Sequence, residues 1–238
     1  MVRGALREPR RLAEAETRSH KARERTMIFE QIEAGGDRNF SYLIGDEETR
    51  LCAVVDPSYD TAPLVARVQA LGLKVAYILT THTHHDHIAG NDVFHKGDVK
   101  LAAYKDARVN PDIKLDHGAV IELGRQRIQV LFTPGHYVDS VCFLVNGKLI
   151  TGDTLFVGCI GGTRSQETSA EQFHSLFDVI LQLDDAIEVY PGHHYGATPS
   201  STIGYERAHN PFLSRTNFQD FVWLKEHWDE YKAEHGIP

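Results

Sequence analysis

Short apolar runs alternate with longer amphipathic stretches from residue 27 onwards. The short runs, rich in Val, Ile, Leu and aromatic residues, predict β-strands. They cover residues 28–34, 39–45, 49–57, 74–80, 119–123, 127–133, 140–145, 148–153 and 186–192. The Asn146-Gly147 pair between two of these runs predicts a two-residue hairpin turn.

Three stretches show the spacing of apolar residues that is typical of helices. Residues 61–72 form the first, Ser169 and Gln172 fit a capping box that starts the second, and Asn217 starts a single third helix that ends at Gly236. Their apolar stripes are Leu64, Val65, Val68 and Leu71; Phe173, Leu176, Phe177 and Ile180; and Phe221, Leu224, Trp228 and Tyr231. Strands and helices alternate, so we expect a mixed α/β protein whose chemistry lies in loops at strand ends.

Composition narrows the class of protein. No apolar run in the 238 residues approaches the roughly 18–20 residues of a membrane helix, so we expect no membrane association. A formal net charge of −8 argues against a nucleic-acid surface. The three cysteines are odd in number and form no CxxC pair, which excludes a disulfide framework and fits a cytoplasmic location.

The first 26 residues differ from the rest of the chain. They are rich in Arg and nearly free of large apolar side chains, so they predict a disordered arm or a segment upstream of the true start. We expect a catalytic domain over residues 27–213 and a C-terminal helix over 214–238 packed on it. Trp223 and Trp228 on this helix leave a homodimer contact open.

The segment THTHHDH, residues 81–87, follows an apolar strand directly. Several imidazoles and a carboxylate at one strand end would be costly to desolvate unless a cation organised them. Neutral imidazole and carboxylate suit Zn, Fe or Mn. His82 and His84 can reach one ion together, whereas Asp86 and His87 point elsewhere, so the spacing predicts two adjacent metal positions.

Three further segments repeat the order apolar strand, tight turn, ligand-type residue. TPGH places His136 after one strand, LITGD places Asp153 after another, and VYPGH places His193 after a third. Each motif alone is weak, but their succession after HxHxDH predicts a metal site. His85 and His194 fall beside these positions, and we expect neither to be a ligand.

This set of motifs resembles the metallo-β-lactamase fold superfamily over about residues 28–213. The resemblance implies an αββα sandwich of two mixed β-sheets flanked by helices. The stretches GDTLFVG and PGHHYG are similar to the glyoxalase II branch, the hydroxyacylglutathione hydrolases. The stretch SSTIGYERAHNPFL and the short tail after it resemble the persulfide dioxygenases.

The resemblance also implies a ligand set. It assigns one metal to His82, His84 and His136, a second to Asp86, His87 and His193, and the bridging position to Asp153. We therefore expect two divalent metal ions as cofactors, Zn before Fe or Mn. The dioxygenases hold a single iron on the equivalents of His82, His136 and Asp153, so ligand identity does not separate the two activities.

We expect a metal-dependent hydrolase that attacks a small acyl compound with metal-activated water, above all a thioester of the hydroxyacylglutathione kind. Asp86 and Asp153 are its predicted catalytic carboxylates, and Asp56 is predicted to orient a ligand histidine. The alternatives are a mono-iron persulfide dioxygenase and an enzyme that opens lactone or β-lactam rings. A non-catalytic scaffold would have broken ligand positions, and none is broken.

The chain departs from the glyoxalase II pattern near the predicted substrate. Gly162 occupies the place of a basic residue that grips glutathione, and Arg164 reaches it only if the loop shifts. Tyr137 stands where a small Thr is usual. The predicted substrate contacts are Tyr137, Cys159, Arg164 and Tyr195.

Overall fold

The computed structural model describes residues 27–237, and the predicted N-terminal arm lies outside them. The strands are β1 (Met27–Glu33), β2 (Phe40–Asp46), β3 (Leu51–Val55), β4 (Lys74–Leu79), β5 (Lys100–Tyr104), β6 (Ile113–Leu115), β7 (Val120–Leu123), β8 (Gln126–Phe132), β9 (Val141–Val145), β10 (Lys148–Gly152), β11 (Glu188–Pro191) and β12 (Ser201–Thr202). The α-helices are α1 (Ala62–Ala70), α2 (His85–Ile88), α3 (Asn91–Phe94), α4 (Gln166–His174), α5 (Ile203–His209), α6 (Phe218–Glu226) and α7 (Trp228–His235).

Two six-stranded mixed sheets form the framework of the described residues. The first has the order β1-β2-β3-β4-β5-β6, antiparallel as far as β3 and parallel from β3 onwards. The second has the order β12-β11-β10-β9-β8-β7, and only its β10 and β11 are parallel. The predicted α/β sandwich of two mixed sheets with flanking helices is confirmed.

The main core lies between the two sheets. Tyr42 and Ile44 of β2 meet Phe143 of β9 and Ile150 of β10 there. A second cluster packs α4, α5 and α6 on the outer face of the second sheet, and a third packs α1 and α3 on the outer face of the first. Full burial of one such side chain contributes about 1.5–3 kcal/mol to the stability of the fold, so these three clusters hold the sheets and helices together.

The turn between β9 and β10 shows the predicted hairpin. Asn146 and Gly147 have φ angles of 44° and 76°, and Val145 pairs with Lys148 across the turn. Positive φ at both central residues is what a type I′ turn requires. The turn aligns β10 so that Asp153 follows its last residue.

The start of α4 differs from the prediction. Its N-cap is Ser165, whose hydroxyl accepts from the Thr168 N–H in a capping box, and Ser169 and Gln172 are buried inside the helix. After His174 the chain continues as a π-helical turn, Ser175–Val179, and a 3-10 turn, Ile180–Gln182. The helix therefore starts one turn earlier and loses its α-helical form earlier than its apolar stripe suggests.

The predicted single C-terminal helix is wrong, because two helices stand in its place. Asn217 caps α6 and Gly236 ends α7 in the left-handed region, as expected, but His227 is not helical. The break turns Trp228 onto Phe212, with ring centroids 4.7 Å apart. No helix in residues 27–237 is both long and apolar enough to cross a membrane.

Candidate metal centre

The ligand-type residues come together where strands of both sheets end. His82 and His84 follow β4, Asp86 and His87 lie in α2, and Asp153 directly follows β10. The other two, His136 and His193, follow β8 and β11. Five of the seven come from strand ends. In the second sheet β8, β10 and β11 run in the same direction, because β8 and β10 are both antiparallel to β9 and β11 is parallel to β10, so their carboxyl ends lie at one edge.

His82, His84 and His136 form the first cluster. Nδ1 of His84 lies 3.0 Å from Nε2 of His82 and 3.0 Å from Nε2 of His136. These nitrogens and a carboxylate oxygen of Asp153 all lie within 4.8 Å of one another. Three imidazole nitrogens that face one point offer lone pairs in the way that a divalent cation requires.

Asp86, His87 and His193 form the second cluster. Nε2 of His87 and Nε2 of His193 are 3.2 Å apart, and Oδ2 of Asp86 lies 3.6 Å from the former and 3.4 Å from the latter. His87 and His193 are buried, whereas Asp86 is half-buried at the surface of the cleft. The second cluster thus offers two imidazoles and one carboxylate to a second ion.

Asp153 lies between the two clusters. Its Oδ1 is 3.3 Å from Nε2 of His87, and its Oδ2 is 3.3 Å from Nε2 of His193 and 3.5 Å from Nε2 of His136. Oδ1 is buried and has no hydrogen-bond partner among the described residues. An unpartnered buried carboxylate oxygen is costly in a protein interior, so its place in the cluster fits coordination of a cation.

In three of the histidines the ring nitrogen that faces away from the cluster, Nδ1, has a hydrogen-bond acceptor. Nδ1 of His136 donates to the Gly162 carbonyl at 2.8 Å, and Nδ1 of His193 donates to the Asp37 carbonyl at 2.8 Å. Nδ1 of His82 lies 3.1 Å from the Thr81 hydroxyl. Each acceptor keeps a proton on Nδ1, so that Nε2 is the nitrogen that faces the cluster.

Asp56 supports His87 in the same way. One Asp56 carboxylate oxygen accepts from Nδ1 of His87 at 3.0 Å, and the carboxylate also accepts from the Thr81 N–H at 2.7 Å and from the Thr81 hydroxyl at 2.5 Å. Asp56 lies near a ligand-type atom of His82 as well. Because these bonds already occupy its carboxylate, its position is that of an orienting group behind His87.

Burial dominates the electrostatics of the first cluster. Desolvation lowers the pKa of His82 well below its ordinary value, lowers that of His84 to about 4, and lowers that of His136. Neutral imidazole is the form that binds metals. The first cluster therefore presents neutral imidazoles, although the Asp153 carboxylate acts in the opposite direction and raises the pKa of all three.

Carboxylates dominate the second cluster. Burial alone would lower the pKa of His193, but hydrogen bonds to Asp153 and Asp86 outweigh it and raise the pKa to about 9. Burial is likewise outweighed at His87, where Asp153 and Asp56 raise the pKa well above the ordinary value. The His193 hydrogen bond holds the pKa of Asp86 below its usual range, so these groups form a compact charged network.

Two residues that support the clusters, Asn39 and Asp139, belong to none of the sequence motifs. Asn39, which is 1% exposed, donates from Nδ2 to Oδ2 of Asp86 at 2.9 Å. Asp139 is also buried, and its carboxylate accepts from the Thr83 N–H at 3.2 Å and from the Thr83 hydroxyl at 2.6 Å. The only available signal was a polar residue beside an apolar strand for Asn39, and a carboxylate three positions after His136 for Asp139.

The predicted substrate residues are divided among three places. Cys159 and Tyr195 line a cavity of about 550 Å³, and Tyr195 stacks on His193 with ring centroids 4.8 Å apart. Arg164 lines a separate cavity of about 360 Å³. Tyr137 lines neither cavity, and the centroid of its ring lies 4.3 Å from the centroid of the His84 ring.

The two neighbouring histidines point away from the clusters. Nδ1 of His85 lies 3.2 Å from the Tyr59 hydroxyl, and the His194 ring packs 5.4 Å from Phe40. Neither residue joins the groups of ligand-type atoms found among residues 27–237.

The sequence is similar to those of several known enzymes. The chain is 31% identical over 202 residues to the mitochondrial persulfide dioxygenase ETHE1 of Homo sapiens, covering 82% of this chain and 78% of the relative. It is 30% identical over 195 residues to the probable polyketide biosynthesis zinc-dependent hydrolase PksB of Bacillus subtilis (strain 168), covering 79% and 87%. It is 30% identical over 226 residues to the hydroxyacylglutathione hydrolase of Gloeobacter violaceus, covering 79% and 88%.

Solved structures agree with the fold. The crystal structure of ETHE1 from Myxococcus xanthus superposes with a TM-score of 0.79 at 31% identity, covering 85% of this chain and 91% of that one. TTHA1623, solved in a di-iron-bound form, superposes with a TM-score of 0.63 at 26% identity, covering 77% and 100%. The family model for the metallo-β-lactamase superfamily matches residues 34–100 and 95–193. The chain therefore belongs to the metallo-β-lactamase superfamily.

Proposed function

We propose that the protein is a hydrolase that holds two divalent cations and uses water to cleave a small acyl substrate, foremost a thioester of the hydroxyacylglutathione type. The observation that carries this proposal is the position of Asp153, whose carboxylate lies within 3.3 Å of the second cluster and within 3.5 Å of the first. A carboxylate between two groups of imidazoles suits a pair of ions rather than one.

The donor set fits the implied metals. His82, His84 and His136 would hold one ion, Asp86, His87 and His193 the other, and Asp153 would contact both. Imidazole and carboxylate donors suit Zn, Fe and Mn. Two bound divalent cations would supply a nucleophilic water at neutral pH and would polarise the substrate carbonyl.

The protein's own groups would hold and orient the reacting molecules. Asp86 and Asp153 stay ionised, because His193 and His87 lower their pKa values, so both can accept a hydrogen bond from an attacking water. Asp56 keeps the proton of His87 on Nδ1. No Ser or Cys nucleophile is required, and burial raises the pKa of the Cys159 thiol to about 12, so that Cys159 stays a neutral side chain.

The cavity beside His193 is the proposed substrate site. It is lined by Tyr195 and Cys159 and by the cationic side chains of Arg38 and Lys232. Two cations near its walls suit a substrate with a carboxylate at the end remote from the thioester. Tyr137 covers the His84 side of the centre, and we propose that it limits the bulk of the acyl group.

A metal analysis joined to a substrate panel tests the proposal. We expect two Zn, Fe or Mn ions per chain and release of thiol from S-lactoylglutathione, lost in Asp153→Asn and kept in Asp98→Asn, which changes an exposed aspartate. A lactone and a chromogenic β-lactam in the same panel would reveal ring opening. Two bound ions without thioester cleavage would overturn the substrate, and no bound ion would overturn the whole proposal.

A mono-iron persulfide dioxygenase is the second candidate. It is favoured by the 31% identity to persulfide dioxygenase ETHE1 of Homo sapiens over 82% of this chain. His82, His136 and Asp153 lie together and would supply the two-histidine, one-carboxylate set of such enzymes. One iron per chain and oxygen uptake with glutathione persulfide would establish this activity in place of the hydrolase.

A further inference from the structure

A half-buried lysine on the C-terminal side of the molecule contacts the loop beside the metal centre. Lys225 of α6 donates from Nζ to Oε1 of Gln172 at 2.7 Å and to the Gly161 carbonyl at 3.3 Å. Lys225 forms none of the ion pairs found within residues 27–237, and burial lowers its pKa to about 8. Even partial desolvation of an amine without a carboxylate partner costs free energy, and its hydrogen bonds are directed at the loop that contacts His136 and at Gln172.

Gln172 completes a triangle of polar contacts. It is 0% exposed, accepts from Lys225 through Oε1, and donates from Nε2 to the Gly161 carbonyl at 2.9 Å. It also packs directly on Gly135, where a side chain would overlap the Gln172 backbone. Gln172 therefore touches both the turn that precedes His136 and the loop that follows Asp153.

The Gly161–Gly162 backbone carries this network to His136. The Gly162 carbonyl accepts from Nδ1 of His136 at 2.8 Å. Gly161 lies so close to the ring that a Cβ there would be 2.7 Å from His136 Nδ1. Two donors on the Gly161 carbonyl fix one peptide plane, and the next carbonyl along the chain is the one that binds the imidazole.

We propose that Lys225 and Gln172 are positioning residues for His136. They fix the Gly161–Gly162 backbone so that the Gly162 carbonyl keeps the His136 proton on Nδ1 and leaves Nε2 free for a cation. The inference rests on the proposed metal site for its consequence, but the effect on the His136 proton exists without any metal. The segment after residue 213 would then take part in setting the geometry of the first cluster.

The first test uses the metal-free protein. A long-range ¹H–¹⁵N spectrum of histidine-labelled protein, assigned with His136→Gln, reports which nitrogen of His136 carries the proton. We expect one tautomer, protonated at Nδ1, in the wild type and a mixture of both tautomers in Lys225→Met and Gln172→Met. Lys225→Arg, which keeps a donor, should restore the Nδ1 form at least in part. Lys105→Met, which changes an exposed lysine paired with Asp116, is the matched control.

The second test measures Zn²⁺ affinity by competition with a chromophoric chelator. It uses a His193→Ala background, which removes a residue of the second cluster. Loss of an outer hydrogen-bond partner commonly costs 10–100-fold in metal affinity, so we expect Lys225→Met to weaken Zn²⁺ binding by roughly 10-fold or more and Lys105→Met to leave it unchanged.

The outcomes separate the two proposals. Wild-type tautomer and affinity in Lys225→Met would overturn the positioning role, as would a loss of thermal stability with neither value changed. A shifted tautomer in a protein that binds no Zn²⁺ in any form would support the positioning of His136 and overturn the metal site instead.

Discussion

The two clusters of the centre use the same side-chain type in opposite electrostatic settings. In the first, burial lowers the pKa of His82, His84 and His136. Nδ1 of His82 lies beside a hydroxyl, and Nδ1 of His136 donates to a backbone carbonyl. In the second, carboxylates raise the pKa of His87 and His193. One cluster is dry and neutral, and the other is a charged network.

The two clusters therefore depend on different supporting contacts. In the first, His136 depends on the Gly162 backbone carbonyl and His82 on the Thr81 hydroxyl. The second depends on acidic and amide side chains, namely Asp56, Asp86 and Asn39. Within residues 27–237, Asp153 is the one residue that lies between both clusters, so a change to Asp153 should affect both, and a change to a supporting residue should affect one.

The largest effect is expected from Asp153→Asn. An amide keeps the size of the carboxylate but removes its charge, so both clusters lose a ligand at once. We expect Zn²⁺ affinity to fall by more than about 100-fold at both positions, beyond the range seen for outer partners. Calorimetric Zn²⁺ titration measures it. Asp98→Asn should titrate like the wild type, and retention of even one tight site in Asp153→Asn would contradict the shared role.

Asp86→Asn should break only the second cluster. The charge on Asp86 is needed there, and the first cluster does not contain it. We expect the bound ions to fall from two per chain to one, counted by plasma mass spectrometry after dialysis. If both ions were lost, the two clusters would not be separable in the way that their geometry suggests.

The supports of the two clusters should show opposite selectivity. Asn39→Ala removes the donor to Asp86 and should weaken the second position by roughly 10-fold, while Asp139→Ala frees Thr83 between His82 and His84 and should weaken the first to a similar degree. Two-site Zn²⁺ titrations of both variants measure these changes. If both variants weakened Zn²⁺ binding at the same position, the two clusters would not have separate supporting residues.

The last prediction concerns the pH dependence of stability. Burial lowers the Lys225 pKa from 10.5 to about 8, so between these pH values the unfolded chain binds a proton that the folded chain lacks. The free energy of unfolding of the metal-free wild type should therefore rise with pH relative to Lys225→Met, by up to about 1.4 kcal/mol for each pH unit. Urea unfolding at pH 8, 9 and 10 checks the slope, and a constant difference would show that Lys225 titrates normally.

The sequence was informative where local patterns decide structure. Apolar runs located most strands, and Asn146-Gly147 located a hairpin. The repeated order strand, turn, ligand predicted that residues from four separate segments of the chain meet at one edge. The α/β class followed from the alternation of strands and helices, and the superfamily from the resemblance of the motifs. The ligand-type residues could be located because loops at strand ends are where polar residues of such a sheet meet.

The sequence was uninformative where remote contacts decide structure. Ser165 rather than Ser169 caps α4, because the inner residues of the motif, Ser169 and Gln172, are buried by packing instead of exposed at a helix end. The break at His227 accompanies the packing of Trp228 on Phe212, a contact between distant residues that no periodicity reveals. Asn39 and Lys225 belong to no motif, and only the fold brings them to the centre.

Anomalous X-ray scattering from crystals grown with Zn²⁺ tests the central claim most directly. The account predicts two peaks on either side of the Asp153 carboxylate. One should lie about 2.0–2.2 Å from the facing nitrogens of His82, His84 and His136, and the other at the same range from Asp86, His87 and His193. A single peak, or peaks that leave Asp153 without contact to either ion, would contradict it.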